Sequence, residues 1–438
     1  MSLHRQVPTV SVSSTDREIT AHGGAVLLRE TARIVGLAGS VERHVHLKRR
    51  ERGLSEAEFV AGTAEAIALG ARCLDDLVVA RSDASQRAMR GFEIAAPQTA
   101  GTWLRRFTLG HIRQLDKALA EVHREAFSAS ATTAVTLDFD SSYVFSRTKR
   151  RQGADRTYKR GYALHPLFCF DAGSGAAIHA RLRRGKAGAS TGMESFLRET
   201  LRRIPDGITR RARLDSGFYG ERLLIQMDAA GVSFICGVPL NTAILGAIAQ
   251  ISESSWGPCR DDKTGEVAEF SYRIRDAKTA RRYVVKRIPR RAGEQLELGA
   301  GAYRYWCSVT NDLQSPAAAI ESEHRHKAMV EGGIRELKSN FGLHAMRKHG
   351  FMANWVWLLL VCIGHNLCCW TQQLGRLEAG RDGADLKAKR LRYRYLVIPA
   401  LLVRSARRLT LKLRSDYPFR RRFLAALTRL RLLPSPAS

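Results

Sequence analysis

Apolar positions along the first third of the chain recur at helical spacing. AVLLRETARIVGL, SEAEFVAGTAEAIALGARCLDDLVVAR and TWLRRFTLGHIRQLDKALAEVHREAF place them at i, i+3, i+4 and i+7, which predicts helices from about Thr20 to Phe127. At Ala131 the pattern becomes extended. TTAVTLDFDSSYVF, GYALHPLFCFDAGSG and AAIHARLRRGKAG read as three successive strands closed by glycine and aspartate turns. The helix GMESFLRETLRRI, the short strand RRARLDSG, the helix GERLLIQMDAAGV and the strand SFICGVP follow in turn.

That order, β-β-β-α-β-α-β, is the plan of a ribonuclease H-like core and places the chain in the α/β class. Residues 241–302 have no place in such a core. EVAEFSYRIRDA, RRYVVKRIPRR and YRYWCSVTND alternate apolar and charged residues, so a β-rich insertion of half-exposed antiparallel strands is expected, its last strand returning to the edge of the core. A helical stretch over 316–343 and an apolar helix over 353–370 complete this region. The apolar run Trp355–Trp370 falls short of the ~20 residues a membrane span needs and holds His365 and Asn366, so it reads as a buried core helix. The expected division is a helical region over 1–130, an α/β region over 131–375 and a basic helical tail over 376–438.

Charge narrows the partner. The chain of 438 residues carries a formal net charge of +29, an excess that favours a polyanion through counterion release. Nucleic acid is the expected partner and a membrane is not. The tail is the extreme case, with fifteen lysines and arginines against one aspartate between residues 386 and 433. Arg105 and Arg106 follow a turn at Pro97 and end a short helix that would offer them to phosphates or a groove. The eight cysteines show no CxxC spacing, which argues against zinc, and they sit in apolar runs as reduced core thiols of a cytoplasmic protein do. The N-terminus lacks the apolar stretch of an export signal.

Three carboxylates suggest chemistry. Asp140 ends the apolar run of its strand, Asp215 ends RARLD, and Glu331 falls on the late helical stretch with His324, Lys327 and Lys338 on the same face. Three carboxylates with substrate oxygens suffice for two Mg²⁺ or Mn²⁺ ions, which support in-line phosphoryl displacement. Asp138 and Asp140 project from one face of their strand, so either could be the ligand. The small Ser141 and Ser142 leave room for a phosphate and favour Asp140, with Asp138 in reserve. Asp171 and Asp206 read as turn residues. Trp256, in a polar part of the insertion, is a candidate for stacking on a flipped base, although ordinary packing is the simpler reading.

These residues resemble the DDE transposases of bacterial insertion sequences, in particular the cut-and-paste group with a β-strand insertion between the second aspartate and the glutamate. That group's late motif, Tyr-x2-Arg-x3-Glu-x6-Lys, here reads His324, Lys327, Glu331, Lys338. ITAHGGAVLLRETARIVGL, LDFDSSYV, GYALHPLFCFDAGSG and the basic tail together look like the insertion-sequence-1380 group. The resemblance implies Asp140, Asp215 and Glu331 as the metal triad. It also implies cleavage at terminal inverted repeats, strand transfer into target DNA, a homodimer that joins the two ends, and action at the bacterial nucleoid. The competing expectation is a decayed transposase that binds its own repeats and represses the locus. A plain nuclease on the same fold would cut without strand transfer.

Overall fold

The computed structural model describes residues 10–15, 17–48, 52–157, 159–274, 278–290, 301–326, 328–377, 386–406 and 408–436. Strand β1 (Ile19–Thr20) opens them, followed by helices α1 (Ala25–Ile34), α2 (Leu37–His44), α3 (Glu56–Leu69), α4 (Leu77–Ser82), α5 (Ala84–Arg90), α6 (Pro97–Arg105) and α7 (Leu109–Ala129). The expected helical region is therefore present. Helix α3 starts at a capping box: the Ser55 hydroxyl accepts from the Glu58 amide and the Glu58 carboxylate accepts from the Ser55 amide. Such a cap satisfies two amides that the helix itself leaves unpaired.

The long sheet begins with β2 (Ala134–Ser141). A small separate sheet of β3 (Val144–Ser146), β4 (Asp155–Thr157) and β5 (Gly161–Leu164) interrupts it before β6 (Leu167–Asp171) and β7 (Ala177–Arg181). Then come α8 (Met193–Leu201), β8 (Thr209–Leu214), α9 (Glu221–Ala229) and β9 (Ser233–Val238). In space these strands lie in the order β7-β6-β2-β8-β9. β2 is antiparallel to β6 and parallel to β8, and β9 is parallel to β8.

The insertion is built onto the same sheet. It consists of α10 (Thr242–Ile248), β10 (Gly257–Pro258), β11 (Glu266–Tyr272), β12 (Arg281–Pro289) and β13 (Tyr303–Thr310). β13 returns along β9, as expected, and β12, β11 and β10 follow it outward to give nine strands.

The late helical stretch is two helices, α11 (Ala317–Arg325) and α12 (Ala328–Asn340), and not the single helix its length suggests. They serve different cores. Ile320 of α11 packs with Ile235, Val267 and Val284 of the β9 and insertion strands, whereas Ile334 and Leu337 of α12 join the main core. Helix α13 (Phe351–Gly375) runs behind them. It is long and apolar enough to cross a membrane, but 83% of its most apolar stretch is buried in the protein, as a core helix requires. It crosses α3 at Gly364, where a Cβ would come within 2.9 Å of the Ala64 carbonyl oxygen.

The tail departs from the helical expectation. After α14 (Ala388–Leu391) it forms an antiparallel hairpin of β14 (Ala400–Ser405) and β15 (Arg408–Leu413), and only then α15 (Arg420–Leu432). RLTLKL alternates apolar and polar residues, which suits a two-sided strand, and ALLVRS brings four apolar residues before its polar end. β14 also pairs with β1, Ile19 opposite Leu401, so the two ends of the described chain meet. One core holds Leu28 of α1, Ile67 of α3, Phe170 of β6, Leu358 of α13 and Phe423 of α15. Residues on both sides of positions 130 and 375 thus share it. A second core lies on the other sheet face, where Leu137 and Phe139 of β2 meet Phe196 of α8 and Leu224 of α9.

Candidate active site

Strand β2 alternates Val135, Leu137 and Phe139 into the second core, which turns Asp138 and Asp140 to the opposite face. Asp138 stands opposite Arg213 of the parallel strand β8. Asp138 is fully buried, and Arg213 grips it with two bonds, Nε to Oδ1 at 2.6 Å and Nη2 to Oδ2 at 2.7 Å. Two residues further along each strand come Asp140 and Asp215. Both line one open cleft of about 590 Å³ at the ends of β2 and β8. The buried ion pair therefore sits behind two carboxylates that reach solvent. Asp138, held in reserve as a metal ligand, is committed to Arg213 instead; a buried carboxylate already neutralised by a bidentate guanidinium has little to offer a cation.

Lys338 of α12 reaches the same place. Its Nζ donates to the Ser142 hydroxyl at 2.6 Å, and the Ser141 amide donates to Asp140 Oδ1 at 2.6 Å. Burial pushes the Lys338 ammonium below its ordinary pKa; the Asp140 carboxylate opposes that shift and the Lys159 charge adds to it. Glu331, exposed in the first turn of α12, lies two helical turns before Lys338 and is not among the residues lining the cleft. The structure thus brings Asp140, Asp215 and Lys338 together and leaves Glu331 on the helix that approaches them.

The remaining expected contacts divide. His324 belongs to α11, not to the helix of Glu331, and its Nε2 donates to the Leu214 carbonyl at 3.2 Å, one residue before Asp215. Lys327 lies outside the described residues. Arg105 and Arg106 are exposed at the end of α6, away from the cleft lining. Glu336, which the helical spacing leaves exposed, is half-buried and accepts from the Ala388 amide at 3.2 Å. Trp256 packs against the Arg287 guanidinium, 4.1 Å from its ring, and Tyr303 covers the same guanidinium at 4.4 Å. Asp171 is the turn residue expected, accepting from the Gly173 and Ser174 amides.

A second acidic group, Asp116, His179 and Glu199, has its ligand atoms close enough for one ion. Asp116 is paired with Arg203 and Glu199 with Arg181, however, so arginines already supply the counter-charge. Burial and the Arg203 charge hold the His179 imidazole well below its ordinary pKa.

A family model described as transposase DDE domain group 1 matches residues 4–435. The chain belongs to that family. No curated protein matches it. Among solved structures it is similar to piggyBac transposase, seen by cryo-electron microscopy in a synaptic complex with hairpin DNA. The TM-score is 0.43 at 14% identity, over 85% of this chain and 78% of that one.

For a DDE transposase the cleft has walls that the sequence reading missed. Arg156, Lys159, His165 and Lys186 line it beside the two aspartates. His165 stacks on Tyr143 with ring centres 4.1 Å apart, and burial lowers its pKa against a bond to the Ala187 carbonyl. The polar run RTYKRGY and the glycine-rich, basic RRGKAGAS are the signals that mark these walls.

Proposed function

We propose that the protein is a DNA transposase that cleaves phosphodiesters at the terminal inverted repeats of its element and joins the freed 3′-hydroxyl to target DNA. Family membership and the placement of Asp140 and Asp215 support this reading. The observation that carries it is that placement: two carboxylates at the ends of adjacent parallel strands, each two residues past the Asp138/Arg213 pair, in one cleft with a basic rim. The strand order β7-β6-β2-β8-β9, antiparallel on one side of β2 and parallel on the other, suits a ribonuclease H-like core. We place the chain in the insertion-sequence-1380 group on the residues that resemble it.

Enzymes of this family usually use divalent metal ions, and the donors here fit Mg²⁺ or Mn²⁺, hard cations that take oxygen ligands. When bound, two such ions activate the attacking water or 3′-hydroxyl and stabilise the leaving oxygen. Asp140 and Asp215 would hold them from the strand ends, with Glu331 contributing from α12. Lys338 places a cation beside Asp140 where a phosphate would bring negative charge. His324 braces the end of β8, and Lys327 would add positive charge toward phosphate. Arg105, Arg106 and the basic tail would hold flanking duplex DNA, and a homodimer would bring two element ends together.

A decayed enzyme that only binds and represses is the second reading. It draws on His324 and Lys327 standing where the resembling group has tyrosine and arginine, and on the His324 ring being turned to the Leu214 carbonyl. The test is cleavage of the DNA flanking the gene with Mg²⁺ or Mn²⁺, wild type against Glu331→Gln. Metal-dependent cuts at the element ends that vanish in the variant support the transposase. Specific binding without cuts by either protein supports the repressor.

A further inference from the structure

The cleft has a cationic wall that the carboxylates do not explain. The Arg183 side chain, 6% exposed, acts as a clasp: Nε donates to the His165 carbonyl and Nη1 donates to the carbonyls of Gly188, Ala189 and Thr191. His165 Nδ1 donates to the Ala187 carbonyl from the other side. The loop after β7 is thereby folded tightly against the small sheet. Gly185 makes the closest approach, since a Cβ there would lie 2.0 Å from the Ala163 carbonyl oxygen. Asp155 accepts from the Arg184 guanidinium and from the Lys186 amide. Gly217, two residues after Asp215, would meet Ala189 at 3.0 Å if it carried a Cβ, so the loop is set directly against the second aspartate.

This framework holds Arg156, Lys159 and Lys186 exposed along the lining shared with Asp140 and Asp215. Thr157 lies between two of them, 8% exposed, and its hydroxyl has no hydrogen-bond partner among the described residues. Arg183 Nη2 is likewise buried without one. Buried donors in native proteins are nearly always satisfied, so a buried hydroxyl without a partner, in a cleft lined by cations, points to an acceptor that arrives from outside. Phosphate oxygens are acceptors of the right charge.

We propose that Arg156, Lys159 and Lys186 form a track for the backbone phosphates of the DNA strand running away from the cut at Asp140 and Asp215, with the Thr157 hydroxyl donating to one of those phosphates. This rests on the transposase reading. The track positions the strand without reading its sequence, because phosphate contacts carry no base information.

The test uses the full chain, with Arg156→Ala/Lys159→Ala/Lys186→Ala and Thr157→Val as variants. Binding of a fluorescein-labelled duplex taken from the gene's flanking DNA is followed by anisotropy across a salt series, beside Mg²⁺-dependent nicking of a plasmid carrying the same DNA. The triple variant loses up to about 2.7 from the slope of log K against log salt, about 0.9 for each phosphate contact. Thr157→Val weakens binding with the slope unchanged, since the hydroxyl is uncharged. An unchanged slope and affinity in the triple variant overturns the track, and nicking by the wild type in the same experiment leaves the transposase reading standing. A reduced slope with no nicking by the wild type keeps the track and removes the catalytic reading. Failure of the wild type to bind the duplex overturns both.

Discussion

Replacing Arg213 by alanine is the sharpest test of how the two aspartates are supported. The change removes both bonds to Asp138, at 2.6 and 2.7 Å, and leaves that carboxylate with no exposed surface. Breaking a buried pair from one side costs about 3–5 kcal/mol because a desolvated charge is left behind. The converse, Asp138→Ala, strands a guanidinium that keeps its bond to the Glu323 carbonyl at 3.2 Å, so its cost lies toward the lower end of about 3–5 kcal/mol. Removing both charges at similar volume, as in Asp138→Leu/Arg213→Met, leaves neither ion and restores stability to within about 2 kcal/mol of wild type, since apolar replacement of a buried pair is often neutral. Urea unfolding followed by circular dichroism reads the difference. With a slope of about 3 kcal/mol per M, Arg213→Ala lowers the midpoint by more than about 1 M. A loss under about 1 kcal/mol for Arg213→Ala, or a double variant as damaged as the single, would refute the reasoning.

Three further outcomes are expected. Gly185→Ala forces a Cβ to within 2.0 Å of the Ala163 carbonyl oxygen and costs about 1–3 kcal/mol; hydrogen exchange should show β4 and β5 opening first, and unchanged protection there contradicts it. His123 and His365 are buried and neutral, each with its pKa pushed from 6.5 down to about 4, chiefly by burial. The unfolded chain therefore takes up protons first as pH falls, so the stability is full above about pH 6.5 and is lost toward pH 4, amounting to about 4 kcal/mol between pH 7 and 5. Urea midpoints that do not fall across that window exclude it. Lys338→Met, which removes the ammonium beside Asp140 and the bond to Ser142, should slow Mg²⁺-dependent nicking about 10²-fold with duplex binding largely kept; an undiminished rate removes Lys338 from the site.

What could be seen in the sequence follows from which signals are local. The change of period at Ala131 and the alternation of helices and strands after it are local, and the structure has strands β2, β6, β7, β8 and β9 in the expected order. Asp140 and Asp215 were visible because each stands at the end of a predicted strand. Ser141 and Ser142 favoured Asp140 over Asp138, but what holds Asp138 was not visible in the sequence, since it depends on Arg213 lying opposite Asp138 across a parallel pair 75 residues apart. The break between α11 and α12 is equally non-local, because it is set by two cores on different parts of a wide sheet. The tail hairpin was hidden by its arginines, whose spacing suits a helix face as well as a strand edge, and the second partner of β14, β1, lies at the other end of the chain. The cationic wall comes from a small sheet whose segments are polar and short, below the length at which periodicity speaks.

The most direct test of the account is nicking of a supercoiled plasmid carrying the gene's flanking DNA, with Mg²⁺ and with chelator, by wild type, Asp140→Asn and Asp215→Asn. The account predicts metal-dependent cuts by the wild type and none by either variant, while both variants still bind the duplex; cutting that survives in either variant contradicts the assignment of the two aspartates as metal ligands.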